Sequence, residues 1–278
     1  MDLSALERSL CRARPGVVLV DARLLRRVIK HHRHLAGVGL AVPHTRSYAV
    51  AREVLLGVVE PEEIGRSRDD LPAEVILLPK PDAEALAHRS IDELAAELWR
   101  YAFHAEVHLA LERRARGGEL GDAIVRQRIG RIGQTEIDEI RAVLRQDGLL
   151  LPPGDDREVY VELCAIWFEL KLFDPALLGR MFPSVHDGRR IEALLGLDVD
   201  AAALLERSRP EGVTAPRLPE APPDRFAERA AEVDFAALIE APGARGGAAA
   251  GAHLPDRGCA TSGARPSPAS ARSAPSIR

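Results

Sequence analysis

The chain has 278 residues, 46% of them apolar and 29% charged, with a net charge of −4. This is the balance of an ordinary globular protein, long enough for one large domain or two small ones. Three widely spaced cysteines, Cys11, Cys164 and Cys259, exclude a disulfide framework and a cysteine zinc site, and no run reaches the ~18 apolar residues of a membrane span.

The first fourteen residues alternate charged and apolar side chains without a continuous apolar stretch, so no signal peptide is expected and the cytoplasm is the expected location. Lysine occurs only at Lys30, Lys80 and Lys171, and arginine supplies the other basic residues. With abundant Ala, Gly and Pro, that is the usage of a GC-rich bacterial genome.

Residues 1–85 read as a small α+β region. Val17 to Val20 is a short strand, and Asp21 caps a helix over Ala22 to His34 that Gly37 and Gly39 end. Val38 to Val42 and Ser47 to Val50 read as strands around Pro43. Arg52 to Val59 reads as a helix, and Glu74 to Leu78 as a strand stopped by Pro79 and Pro81.

Residues 86–208 read as an α-helical bundle. Ser90 and Glu93 form a capping box for a helix to about Arg116, which Gly117-Gly118 ends. A second helix is expected from Asp122 to Asp147, and a third from Asp155 or Asp156 to Phe173. Shorter ones follow over Asp174 to Met181, Arg189 to Leu195 and Asp200 to Arg207. Eight of the eleven aromatics fall here, mostly on the first and third helices. These two helices, which bear Trp99 and Trp167, are therefore expected to pack against each other at the centre of the core. The fold class is mainly α: a small N-terminal α+β region packed on a helical bundle.

Residues 209–240 form a Pro-rich linker with one amphipathic stretch containing Phe226, Val233, Phe235, Leu238 and Ile239. Residues 241–278 are mostly Ala, Gly, Pro and Ser. This composition buries too little apolar surface to offset its ordering entropy, so a disordered tail is expected.

Four places could carry chemistry. On the first bundle helix, Glu97, Tyr101, His104, His108 and Glu112 share one stripe, and His104 and His108 stand one turn apart, a spacing that suits two imidazole ligands of one divalent transition metal. Taken alone, this stripe also reads as the solvent face of an amphipathic helix. On the second helix, Glu136 falls among Val125, Ile129, Ile132, Ile140 and Val143, where a buried carboxylate needs a partner, a metal or a proton. On the third helix, Glu162 and Glu169 are seven apart and share a side of an otherwise apolar helix. They read as one exposed edge, or as further ligands or general bases.

The fourth place is the Ala22–His34 helix, where Arg23, Arg26, Arg27, Lys30 and Arg33 form a basic face that could meet nucleic-acid phosphates. No aromatic is interleaved with it. The segment 53–97, with twelve acidic residues against four basic ones, can neutralise it within the fold. His31, His32, His34 and His44 cluster in sequence, but adjacent helical imidazoles point about 100° apart, which keeps His31 and His32 from sharing an ion.

The sequence contains no P-loop, no dinucleotide-binding glycine motif and no nucleophile elbow. The functional expectation is a non-catalytic interaction or regulatory module with a protein partner. The alternative is a metal-dependent enzyme with His104, His108 and Glu136 as ligands and Glu162 or Glu169 in catalysis. A third reading is a nucleic-acid-binding protein.

Overall fold

A computed structural model of the chain describes residues 3–35, 42, 44–150 and 153–214. The amphipathic stretch expected in 209–240, the tail 241–278 and all but the last residue of the strand expected over 38–42 lie outside these.

The N-terminal region is a three-stranded sheet covered on both faces. Its strands are β1 (Val17–Val20), β2 (Tyr48–Ala51) and β3 (Glu74–Pro79), in the order β1-β3-β2. β1 runs parallel to β3, with Val18 opposite Leu77, and β2 runs antiparallel to it, with Ala49 opposite Ile76. All four side chains of β1 are buried because each face meets helices. Val18, Val20, Tyr48, Val50, Val75 and Leu77 pack under helix α2 (Ala22–His32), through its Leu24, Leu25, Val28 and Ile29. Val17, Leu19, Ile76 and Leu78 pack against α1 (Leu3–Ala13) and against the long helix described below. The period of two along the strands and the 3.6 period along α2 thus select the two faces of the sheet. Gly16 allows β1 to enter beside β3: a Cβ there would sit 2.5 Å from the Glu74 carbonyl oxygen.

Two short helices, α3 (Arg52–Leu56) and α4 (Pro61–Ile64), connect β2 to β3, and a third, α5 (Ala83–His88), leads from β3 to the bundle. Together with α1, α4 and α5 carry no signal strong enough to be expected from sequence. The strand and helix positions at 17–20, 22–32 and 74–79 agree closely with expectation.

The bundle is built on α6 (Ile91–Arg116) and α9 (Asp156–Phe173), which pack against each other. Ser90 and Glu93 cap α6 reciprocally, and Asp155 caps α9 through the Glu158 N–H. α6 lies between two layers. Leu94, Leu98, Trp99, Ala102 and Leu109 face the sheet and α1, whereas Phe103, Val107 and Leu111 face α9 and its neighbours. The tryptophans accordingly do not share one centre. Trp99 packs edge-on to Phe173 and donates its indole N–H to Ser208, whereas Trp167 stacks on Phe182 on the far side of α9.

The single helix expected over 122–147 is two: α7 (Asp122–Ile132) and α8 (Gln134–Gln146). Gly133, with φ 114° and ψ 142°, breaks it. The break resets the helical phase, so Ile137, Ile140 and Leu144 form the buried face of α8. Helices α10 (Pro175–Met181), α11 (Gly188–Leu195) and α12 (Ala201–Ser208) close the layer. Asp198, just before α12, is buried and accepts hydrogen bonds from Arg128 of α7 and the Tyr160 hydroxyl of α9, which ties three elements together.

Candidate metal centre

The α6–α9 contact turns polar at one place. His104 and His108 extend from α6 one turn apart, as helical geometry requires, and point at α9 rather than at water. Glu162 projects from the middle of α9 between them. The fourth group, His44, comes from the connection between α2 and β2 and holds a left-handed backbone, φ 59°. This conformation is uncommon for any residue with a Cβ, though less so for histidine.

The donor atoms of these four residues all lie within 4.8 Å of one another. Nε2 of His104 and Nε2 of His108 are 3.0 Å apart. Glu162 Oε2 is 3.2 Å from His108 Nε2 and 3.3 Å from His44 Nε2, and Oε1 is 3.6 Å from His104 Nε2. Ligand atoms about 2.1 Å from a common tetrahedral centre stand about 3.4 Å from each other. The separations of 3.0, 3.2, 3.3 and 3.6 Å lie near this value and near the ~3.0 Å between adjacent donors of a six-coordinate ion, so the four groups could gather round one ion. Three imidazoles and a carboxylate, with no thiolate, suit a divalent first-row transition metal.

The surroundings prepare these groups as ligands. Glu162 is 2% exposed, and its Oε1 has no hydrogen-bond partner among the described residues. A buried carboxylate oxygen without a donor is costly, and a cation in the cluster would satisfy it. Glu169, one helical turn pair further along α9, accepts a 2.8 Å hydrogen bond from His104 Nδ1. A carboxylate acceptor fixes the proton on Nδ1 and turns the Nε2 lone pair toward the cluster. Arg100 in turn donates to the other Glu169 oxygen at 2.5 Å.

The electrostatics differ between the three rings. Burial, together with His108, His104 and Arg33, pushes His44 down to about 4, with Glu162 opposing. Burial likewise drives His108 well below the ordinary histidine value, helped by His104 and Arg33. Burial also penalises charge on His104, but Glu162 and Glu169 outweigh it and hold that ring above its usual value. For Glu169, burial works toward protonation, yet the hydrogen bond from His104 and the charges of His104 and Arg100 keep its carboxyl low. Burial thus favours the neutral, coordinating form of His44 and His108, whereas His104 is held toward its protonated form by Glu162 and Glu169.

Of the residues singled out from sequence, His104, His108 and Glu162 come together here, and Glu169 stands behind them. Glu136 does not join them. It lies in the first turn of α8, half-buried, with Arg190 Nη2 3.2 Å away, because the Gly133 break rotates it off the apolar face. Only the ends of the α6 stripe reach solvent: His104 is 6% exposed, whereas Glu112 is exposed beside Arg157 and Glu97 is half-buried beside Arg89. Glu162 and Glu169 do not mark an exposed edge, since both are buried. His44 is the member that spacing alone did not connect to α6. Its neighbours in sequence, His31, His32 and His34, are not part of the cluster.

A cleft of about 930 Å³ opens beside the cluster, lined by His44 and His108 and extending past His32, Arg33, Tyr48 and Glu158. On α2, Arg23 and Arg26 are exposed, Arg27 pairs with Glu63, and Arg33 turns into this cleft and pairs with Glu158. The basic face is thus partly neutralised. Among the described residues no helix is long and apolar enough to cross a membrane. Comparison of the chain with protein-family models, with curated proteins and with solved structures finds no match.

Proposed function

We propose that this chain is a metal-dependent enzyme whose ion is held by His44, His104, His108 and Glu162. The observation that carries the reading is the convergence of four donor atoms onto one point, with the His104 ring oriented by Glu169. This favours the metal reading over the interaction module expected from sequence, and over nucleic-acid binding by α2.

The adjoining cleft favours catalysis over a purely structural role. Structural sites close around their ion, whereas catalytic sites keep a position open. Four protein donors leave one or two positions free on an ion that takes five or six ligands, and His44 and His108 border the cleft from which a water or substrate would fill them. Such an ion lowers the pKa of a bound water to about 7 and polarises a substrate oxygen. Glu158 lines the same cleft and is the group there that would accept the proton.

Elemental analysis of the purified full chain tests the proposal. About one transition-metal ion per chain is expected, falling to background in His104→Ala and Glu162→Gln. Turnover of a chromogenic ester or phosphoester panel should be lost on chelation and regained on adding back the ion. A wild-type chain that takes up no stoichiometric ion overturns the reading.

A further inference from the structure

The cleft beside the metal centre contains a second polar construction, centred on Arg33. This residue follows the C-terminus of α2, where the chain turns into the cleft. Its Nε donates to the Tyr48 hydroxyl at 3.2 Å and its Nη1 to Glu158 Oε1 at 2.8 Å. These two bonds fix the guanidinium plane. Among the described residues Nη2 has no hydrogen-bond partner, so a rigidly held arginine keeps donors unused at the cleft wall.

Tyr48 is held just as firmly. Its oxygen lies 2.7 Å from His32 Nδ1. Arginine can only donate, so the tyrosine oxygen accepts from Arg33 and sends its own proton to His32. Burial keeps His32 neutral by lowering its pKa, with Arg33 adding to the effect, and this fits the acceptor role.

Charge arithmetic distinguishes loaded and empty states. Arg33 and Glu158 cancel, and Glu162 contributes one negative charge at the cluster. A divalent ion would add two positive charges on this side of the cleft. The other arginines bordering the cleft are committed elsewhere: Arg14 to Glu106, Arg113 and Arg116 to Glu74, and Arg157 to Glu112. Arg33 lines the same cleft as His44 and His108, which brings its guanidinium to the side of the cleft that the proposed ion would face.

The geometry points to a substrate that carries an oxyanion, carboxylate or phosphate, held between the metal ion and Arg33 Nη2. This rests on the metal reading above. With Nε and Nη1 engaged, the Nη2 amino group keeps its N–H donors for a ligand, and a charge-assisted bond to an anionic oxygen is stronger there than one to a neutral acceptor. The cleft volume of about 930 Å³ admits a small organic molecule rather than a polymer.

Cobalt-loaded protein tests this directly, because the visible spectrum of Co²⁺ responds when an anion enters its coordination shell. Inorganic phosphate and malonate are titrated separately into wild type, Arg33→Met, Arg33→Lys and the control Arg27→Met. At least one of the two anions should perturb the wild-type spectrum saturably, and which one does so identifies the group. Arg33→Met should weaken that binding by about tenfold or more, with cobalt content unchanged. Arg33→Lys should fall between, and Arg27→Met should match wild type. Equal affinities in wild type and Arg33→Met, or a cobalt-loaded wild type indifferent to both anions, overturn the inference while leaving the metal reading intact. If Arg33→Met does not fold, Arg33→Lys decides: wild-type affinity there overturns the proposal. A wild type that binds no cobalt fails at the earlier step and removes both.

Discussion

At the scale of single residues, the polar cluster is held together by complementary protonation. Glu169 does not border the ion's position but fixes the His104 tautomer. Glu169→Gln keeps a hydrogen-bonding group and loses the charge, so metal affinity should fall ~10–100-fold, read by competition with a chromogenic chelator. The metal-free cluster is also a source of acid sensitivity. His44 is depressed in the fold to about 4 and His108 well below its usual value, so the unfolded chain binds more protons than the folded one as acid is added. Their contribution is fully present above the ordinary histidine value and disappears as pH falls toward the folded value. For His44 alone this is on the order of 3 kcal/mol. His104 runs the other way: its raised value gives stability at and below the ordinary histidine pKa that is lost as pH rises through the folded value. The metal-free protein should therefore melt at progressively lower temperature between about pH 6.5 and 4, with a shallower slope in His44→Phe. His44 itself could not be assigned from sequence, because its partners lie on helices far along the chain and its own backbone geometry follows no local pattern.

At the scale of elements, α6 and α9 explain both what was legible and what was hidden. Caps, length and the i, i+4 histidine pair were readable because they are local. The direction in which the histidines point was not. α6 is buried on two sides, by the sheet and by α9, so the stripe that resembles a solvent face in a lone helix becomes an interior seam. Glu136 shows the same limit in reverse. A continuous helix places it among isoleucines, and one glycine in a positive-φ conformation rotates it toward Arg190. Gly133→Ala should be costly because of the backbone angle, whereas the Glu136 carboxylate that a Cβ there would meet at 2.4 Å is the end of a flexible side chain and can swing aside. A loss of about 1–3 kcal/mol is expected in urea unfolding, and Glu136→Ala in the same chain should recover little of it.

At the scale of the whole molecule, the His/Glu cluster sits where the N-terminal α+β region meets the bundle. His44 belongs to the first, and His104, His108 and Glu162 to the second. The mainly α fold with its small sheet followed from periodicity and capping. The layering of α6 between the sheet and α9 did not, since it depends on contacts between distant segments. An ion at this junction binds the folded chain only, so zinc or cobalt at one hundred times its dissociation constant should add about 2.7 kcal/mol to stability. Calorimetric melts with and without ion would measure the gain, and His44→Phe should abolish most of it.

The distribution of the four ligands along the chain also sets the order of events during synthesis. His44 leaves the ribosome on the order of ten seconds before Glu162 at ordinary elongation rates. Until α9 has been made, the chain offers only an imidazole pair on α6 and a separate imidazole, which is a weak chelator. On the metal reading, the full donor set is therefore available only once α9 has been made. A chain that lacks its ion then also lacks the stabilisation the ion would give and is unfolded, and open to proteolysis, a larger fraction of the time. Ion supply would then govern how long a chain survives, quite apart from what it catalyses.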